Sequence, residues 1–327
     1  MRPPLEPLSL ADVHAARERI AGAVVRTPLL RLPVDAPAEI HLKLENLQPI
    51  GSFKLRGALN AMRALPADRL REGVYTASAG NMAQGLAWAA RELGVPCRIV
   101  APDHIPETKA RAIERLGATV RRVPFAAWWE AILAHEVPGE PGVFIHPGAD
   151  RAVMAGNATI GLEILEALPD VDAILVPYGS GGLACGIACA AHALRPGVRT
   201  YACELEGRAP FATSLAAGRP ASIAYTPCFV DGIGGKSVLE EMWPLARTVL
   251  AGSLTATLAE VADAVRVIAE RARVIAEGAG AAPVAAALRD SAFPPGEAKR
   301  PRRIACVVSG GNIDSAKLAT ILAGGIP

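Results

Sequence analysis

The chain has almost no net charge to offer a charged partner. Across 327 residues, 34 lysines and arginines face 32 aspartates and glutamates, a formal +2. Acids and bases are interspersed and no basic block occurs, which argues against nucleic acid or a membrane surface and leaves a small molecule as the default partner. Lysine is scarce, with only six among the 34 cations, so a lysine in an apolar setting stands out. A signal peptide is not apparent either, because MRPPLEPLSLADVHAARERI contains no apolar core of signal length. The six cysteines (Cys97, Cys185, Cys189, Cys203, Cys228, Cys306) are scattered, which reads as reduced thiols of a cytoplasmic protein. Internal repeats are lacking, and the one low-complexity stretch is the short Pro/Gly/charge segment 293–302. The longest uncharged run, Ala173 to Leu194, has the length of a membrane span. Pro177 and Gly179-Ser180-Gly181-Gly182 would break a lipid-exposed helix there, so a buried strand, a glycine turn and a buried helix are expected.

With 51% hydrophobic and 20% charged residues, the chain is globular and long enough for two domains. A short apolar strand, a Gly-rich turn and a helix recur along it. Strands are predicted at Val74–Ala77, Cys97–Ala101, Thr119–Val123, Ala173–Tyr178, Val198–Cys203 and Ile304–Val308. Helices are predicted after Asn81, over Ile105–Leu116 and Ala184–Leu194, and at the end of the chain. This alternation implies a parallel sheet covered on both faces, with ligands at the carboxyl ends of its strands.

Three polar glycine-rich turns fall at such strand ends. Ser78-Ala79-Gly80-Asn81 combines a hydroxyl, free backbone N–H groups and an amide at a helix start, which suits a carboxylate. Gly179-Ser180-Gly181-Gly182-Leu183 is a stronger anion cradle, since its glycines let the backbone approach a phosphate. It lacks a Walker ending but fits G-x-G-x-x-A as Gly179, Gly181 and Ala184, with Glu204 near the ribose-binding position, so a nicotinamide or flavin dehydrogenase is the runner-up. Ser309-Gly310-Gly311-Asn312 is the third turn. Lys54, in GSFKLRG, begins a predicted helix with Ser52 as N-cap; the helix dipole and the apolar Phe53 both disfavour its ammonium form. Cys185, Cys189 and His192 share a helix face, but buried cysteine on an Ala-rich helix explains them better than a metal. Trp128-Trp129 reads as helix packing rather than a stacking platform.

Taken in order, LKLENLQPIGSFKLRGA, SAGNMAQGLA, AGNATIGLEI, VPYGSGGL, DGIGG, EGAGAAPVAAAL and SGGN resemble the serine/threonine dehydratase family of fold type II pyridoxal-phosphate enzymes, which includes serine racemase. The resemblance covers nearly the whole chain. It implies a Schiff base on Lys54, with Phe53 beside the cofactor ring and Asn81 bonded to the ring hydroxyl. It further implies that Gly179, Ser180, Gly181, Gly182 and Leu183 hold the phosphate, that Ser309 faces the pyridine nitrogen, and that Glu277 is a cofactor contact. Ser78, Ala79, Gly80 and Met82 would line the substrate site. A neutral serine at 309 implies a weak electron sink, which suits elimination.

Some positions depart from the family pattern. Met82 stands where histidine is usual, Ser180 where another glycine is usual, and Asn157-Ala158 replaces Gln-Gly. Ala79 occupies the position of a racemase's serine, and alanine cannot exchange a proton. Glu204 would match one cation ligand, but Pro210 stands where a second is expected, so no metal is implied. The additional C-terminal module of feedback-inhibited threonine enzymes is not expected. Met82 suggests a taste for a bulkier or more apolar β-substituent.

The resulting expectation is an α/β chain of the tryptophan-synthase-β-like type, with two open twisted mostly parallel sheets flanked by helices and the cofactor between them. Residues 1–70 and 149–327 would form the large domain, and residues 71–148 the small one. The expected activity is α,β-elimination from a β-hydroxy amino acid to a 2-oxo acid and ammonia, in a cytoplasmic homodimer. β-Replacement or racemisation on the same cofactor, and a nicotinamide oxidoreductase, are the alternatives.

Overall fold

A computed structural model describes residues 2–224, 226–289 and 302–327. Most of the segment 293–302 therefore lies outside the described residues. Among the described residues, ten strands form two sheets. The larger is built from β1 (Leu29–Arg31), β2 (Ala38–Leu44), β7 (Ala173–Pro177), β8 (Arg199–Leu205), β9 (Ser253–Ala256) and β10 (Arg302–Val308), in the order β1-β2-β10-β7-β8-β9. Among the described strands only the β1–β2 pair is antiparallel. The smaller sheet contains β3 (Val74–Ala77), β4 (Cys97–Pro102), β5 (Thr119–Val123) and β6 (Val143–Phe144), all parallel, in the order β5-β4-β3-β6. This is the α/β arrangement that the strand and helix alternation predicts.

Twelve α-helices cover the sheets among the described residues. They are α1 (Leu10–Ile20), α2 (Lys54–Arg63), α3 (Asn81–Leu93), α4 (Glu107–Glu114), α5 (Phe125–Ala134), α6 (Arg151–Ala167), α7 (Gly182–Leu194), α8 (Pro210–Ala217), α9 (Trp243–Val249), α10 (Leu258–Val267), α11 (Gly278–Leu288) and α12 (Ser315–Leu322). The helices α7 and α11 are built from small apolar residues and are buried almost all round, which is how an interior helix reads in sequence. The run Ala173–Leu194 folds as the buried strand β7, a turn and the buried helix α7. No helix among the described residues is long and apolar enough to cross a membrane.

The observed boundaries differ from the predicted ones where tertiary contacts intervene. Ser52 is not the N-cap of α2; Phe53 occupies that position and makes no side-chain cap. The reason is that residues 51–53 pair with the chain after β10. Phe53 N donates to Ser309 O at 2.9 Å, and Gly311 N donates to Gly51 O at 2.9 Å. The helix predicted over Ile105–Leu116 is the shorter α4, since Pro106 stands at its N-cap and Gly117, at φ +91°, follows its end. Helix α7 begins two residues earlier than expected, at Gly182.

Candidate active site

The carboxyl ends of β3, β7 and β10 open onto one cleft of about 820 Å³. Its lining contains Phe53, Lys54, Ser78, Ala79, Gly80, Asn81, Met82, Gly179, Ser180, Gly181, Leu183, Glu277 and Ser309, which brings together nearly every residue singled out in the sequence. Gly182 is the exception. It faces away onto the backbone of Gly148, where a Cβ would lie 2.4 Å from the Gly148 carbonyl oxygen.

Lys54 is the first residue of α2. Its Nζ lies 5.1 Å from the centroid of the Phe53 ring and donates to Pro147 O at 2.6 Å. Burial brings its pKa down to about 8, while the Glu277 carboxylate partly opposes the shift. An ordinary lysine would be neutral in roughly one molecule in three thousand at pH 7, and this one in about one in ten. The Pro147 carbonyl is fixed by its neighbour His146, whose Nδ1 accepts from Gly148 N at 3.0 Å and Ala149 N at 2.6 Å. His146 is buried and its pKa is driven well below the usual value by desolvation, so the ring is neutral.

Asn81 opens α3 and is held at both ends of its amide. Its Nδ2 donates to Glu277 Oε1 at 2.9 Å, and its Oδ1 accepts from Asn312 Nδ2 at 2.8 Å. Glu277 is buried, and desolvation raises its pKa to about 7. The Ser78-Ala79-Gly80 turn is half-buried beside them, and Ser78 Oγ accepts from Gly80 N at 3.3 Å. Met82 is 2% exposed and packs into the core around β3 and β4, touching the cleft from below.

The glycine turn sits at the N-terminus of the 13-residue α7. Gly181 is its N-cap with φ +93°, a backbone region that disfavours side chains, and a Cβ there would meet Met242 Cγ at 2.7 Å. Orphan N–H groups and the positive helix end make this cradle a fit for a phosphate. Ser180 is accommodated because its hydroxyl occupies the space beside Gly148 that a side chain would fill, with a Cβ only 1.7 Å from Ser180 Oγ. The cleft thus joins a depressed lysine amine to a phosphate cradle, the pair of features that a phosphorylated aldehyde cofactor requires.

Glu204 has other work. It accepts from Phe211 N and Ala212 N, each at 2.9 Å, and from Ser253 Oγ at 2.6 Å, so it is committed to the start of α8. Neither a ribose nor a cation finds a free carboxylate there. Cys185 and Cys189 lie in the core with their thiol pKa values raised by burial, which opposes thiolate ligation. Across the mouth of the cleft Lys109 Nζ pairs with Asp231 Oδ2 at 2.9 Å.

Pro147, Asn312, Phe125 and Trp128 line the cleft without having been singled out as site residues. Asn312 was legible as the last residue of SGGN. Pro147 acts through a backbone carbonyl, which leaves no side-chain signal. Trp128 packs as expected, but it also faces the cleft.

The profile of the family described as pyridoxal-phosphate dependent enzyme matches residues 20–310. The L-threonine ammonia-lyase of Thermotoga maritima is 38% identical over 313 residues, covering 94% of this chain and 76% of the relative. Among solved structures, maize serine racemase is similar with a TM-score of 0.87 and 31% identity, covering 96% of each chain. The processed form of threonine deaminase isoform 2 from Solanum lycopersicum gives a TM-score of 0.86 at 27% identity, covering 99% of each chain. The chain belongs to the pyridoxal-phosphate dependent enzyme family, with the two-sheet fold of these relatives and pyridoxal phosphate as its cofactor. It is a lyase of that family, and the nicotinamide alternative falls.

Proposed function

We propose that the protein eliminates water from a β-hydroxy amino acid such as threonine or serine, or a bulkier analogue, releasing a 2-oxo acid and ammonia. The observation that carries this reading is the buried, pKa-depressed Lys54 amine in the same cleft as a glycine cradle at a helix N-terminus. Lys54 would anchor the cofactor aldehyde, and Phe53 would pack beside the ring. Backbone N–H groups of Gly179, Ser180, Gly181, Gly182 and Leu183 receive the phosphate; Gly182 serves through its backbone alone. Asn81, aligned by Glu277 and Asn312, would hold the ring hydroxyl, and Ser309 would hold the pyridine nitrogen. Bound there, pyridoxal phosphate supplies an electron sink that acidifies the substrate Cα–H.

The remaining work falls to the chain itself. The Ser78-Ala79-Gly80 turn orients the substrate carboxylate at the start of α3, with Met82 beneath it. Lys54 Nζ, when neutral, takes the Cα proton as general base, and the Pro147 carbonyl keeps it aimed. Ala79 has no proton to exchange, so nothing on that wall favours racemisation.

The same proposal assigns residues 71–148 to a small domain and residues 1–70 with 149–327 to a large one. In support, the strands of the smaller sheet fall between Val74 and Phe144, and those of the larger sheet fall outside that range. A homodimer and a cytoplasmic location complete it, on the family resemblance alone.

The test is release of 2-oxo acid and ammonia from a panel of β-hydroxy amino acids by the holoenzyme and by Lys54→Ala. Loss of the general base should lower kcat by about 10²- to 10⁴-fold or more. Full turnover by Lys54→Ala that still binds cofactor contradicts the assignment.

A further inference from the structure

The cleft has an aromatic wall that elimination from serine or threonine does not use. Phe125 and Trp128, from the first turn of α5, line it together with Pro102 and His104 from the end of β4. Their rings form a row: His104 to Phe125 at 5.9 Å between centroids, Phe125 to Trp128 at 5.5 Å, and Trp128 to Trp129 at 6.2 Å. Aromatics are only 4% of this chain, so such a row in the cleft that holds Lys54 is a local concentration.

Its position is set by packing. Trp128 and Trp129 pack on a small buried cluster of Ala77, Ala131 and Ile132. Ala77 immediately precedes the Ser78-Ala79-Gly80 turn, so the wall rises beside the place proposed for the substrate carboxylate. Phe125 also carries Lys236 over its ring, with Nζ 5.3 Å from the centroid. Lys236 directly follows the DGIGG segment that Asp231 begins, and Asp231 pairs with Lys109. These two contacts link the loop to α4 and α5.

The chemistry of the wall favours a ring over an acid. Lys109 is spent on Asp231 and His104 on Asp103, while Arg115 lies exposed at the mouth. Aromatic rings prefer offset or edge contacts with other rings, which the tilted Phe125 and Trp128 faces present.

Resting on the dehydratase reading, we propose that the preferred substrate class is a β-hydroxy amino acid with an aromatic β-substituent, a 3-arylserine whose ring lies on Phe125 and Trp128. The balance needs no oxidant. The Cα–H bond breaks and its proton passes to the base. The Cβ–O bond then breaks, its electron pair staying with the oxygen, which takes that proton back from the base and leaves as water. The enamine set free takes up one water and loses ammonia. For 3-phenylserine the products are phenylpyruvate and ammonia, with one water lost and one regained.

The experiment compares kcat/KM of the holoenzyme on serine, threonine and 3-phenylserine for wild type, Phe125→Ala, Trp128→Ala and Trp128→Phe. Wild type should favour 3-phenylserine over threonine by about tenfold or more, the range one apolar group commands in a fitted pocket. Either alanine variant should lose about tenfold on 3-phenylserine while changing threonine less than about threefold, and Trp128→Phe should keep most of the preference. Equilibrium binding provides a second readout without turnover, followed through the cofactor absorption band. Phenylalanine, which has no leaving group, should bind wild type about tenfold more tightly than 2-aminobutyrate, and Trp128→Ala should erase the difference. If an alanine variant does not fold, wild type and Trp128→Phe decide by themselves. A wild type that turns over threonine or serine better than 3-phenylserine overturns the inference and leaves the dehydratase reading standing. Absence of any 2-oxo acid from all three substrates overturns both.

Discussion

Glu277 is a carboxyl group taken out of water without a cationic hydrogen-bond partner among the described residues; its hydrogen bond comes from the neutral amide of Asn81. Desolvation therefore raises its pKa from 4.5 to about 7. Between those two values the folded protein holds a proton that the unfolded chain has lost, so the contribution of Glu277 to stability falls as pH rises across that window. Glu277→Gln keeps an acceptor for Asn81 and removes the titration. The two proteins should be equally stable near pH 4, with the variant ahead by about 3 kcal/mol near pH 8, read as a growing Tm difference in the cofactor-free protein. A Tm difference that does not change with pH would mean that Glu277 is not desolvated as described. Lys54 is the mirror case, an amine whose proton is released early by the same burial. Both residues were legible in sequence as members of motifs. That they face one another across one cleft was not, because positions 54 and 277 are joined only through the fold.

At the scale of elements, the strands β3 and β5 lie where the alternation of apolar residues places them, since short runs bounded by turns leave little choice. Helix starts were less legible. Ser52 has the chemistry of an N-cap, yet residues 51–53 are drawn into pairing with 309–311, and the cap is lost to that long-range contact. Glu204 ends a strand as a ribose-binding acid would, and only the fold reveals that it accepts from the amides that open α8. The close approach of α7 to residue 148 is another such contact. Gly182→Ala would press a methyl group to 2.4 Å from the Gly148 carbonyl oxygen. The backbone must shift, at a cost of about 1–3 kcal/mol, and the glycine cradle shifts with it. Cofactor affinity should fall at least about tenfold in a titration of the apoprotein, with helical content unchanged; unaltered affinity would dissociate the cradle from its packing.

Much turns on where α2 is fixed, because α2 carries Lys54 and packs against α3, which follows β3, and α6, which precedes β7. Below Lys54, Arg56 is buried and bonded to Glu45 Oε2 at 2.8 Å and to Glu163 Oε1 at 2.7 Å, while Lys43 Nζ also donates to Glu163. This network ties α2 to β2, to the turn after it and to α6. Its four charged groups are buried together, so removing one leaves an excess of the other sign. Arg56→Met should destabilise the protein by about 3–5 kcal/mol in denaturant unfolding, far more than loss of an exposed ion pair. A cost below about 1 kcal/mol would show that α2 is held by packing alone.

We propose that one amine, that of Lys54, joins the cofactor. The scarcity of lysine makes the direct measurement clean: borohydride reduction of the holoenzyme, proteolysis, and mass mapping of the pyridoxyl label over the six lysines. The expected result is the label on the peptide containing Lys54 and loss of the near-visible absorption band. A label on Lys109, Lys236 or any other lysine, or a preparation that takes none, would contradict it.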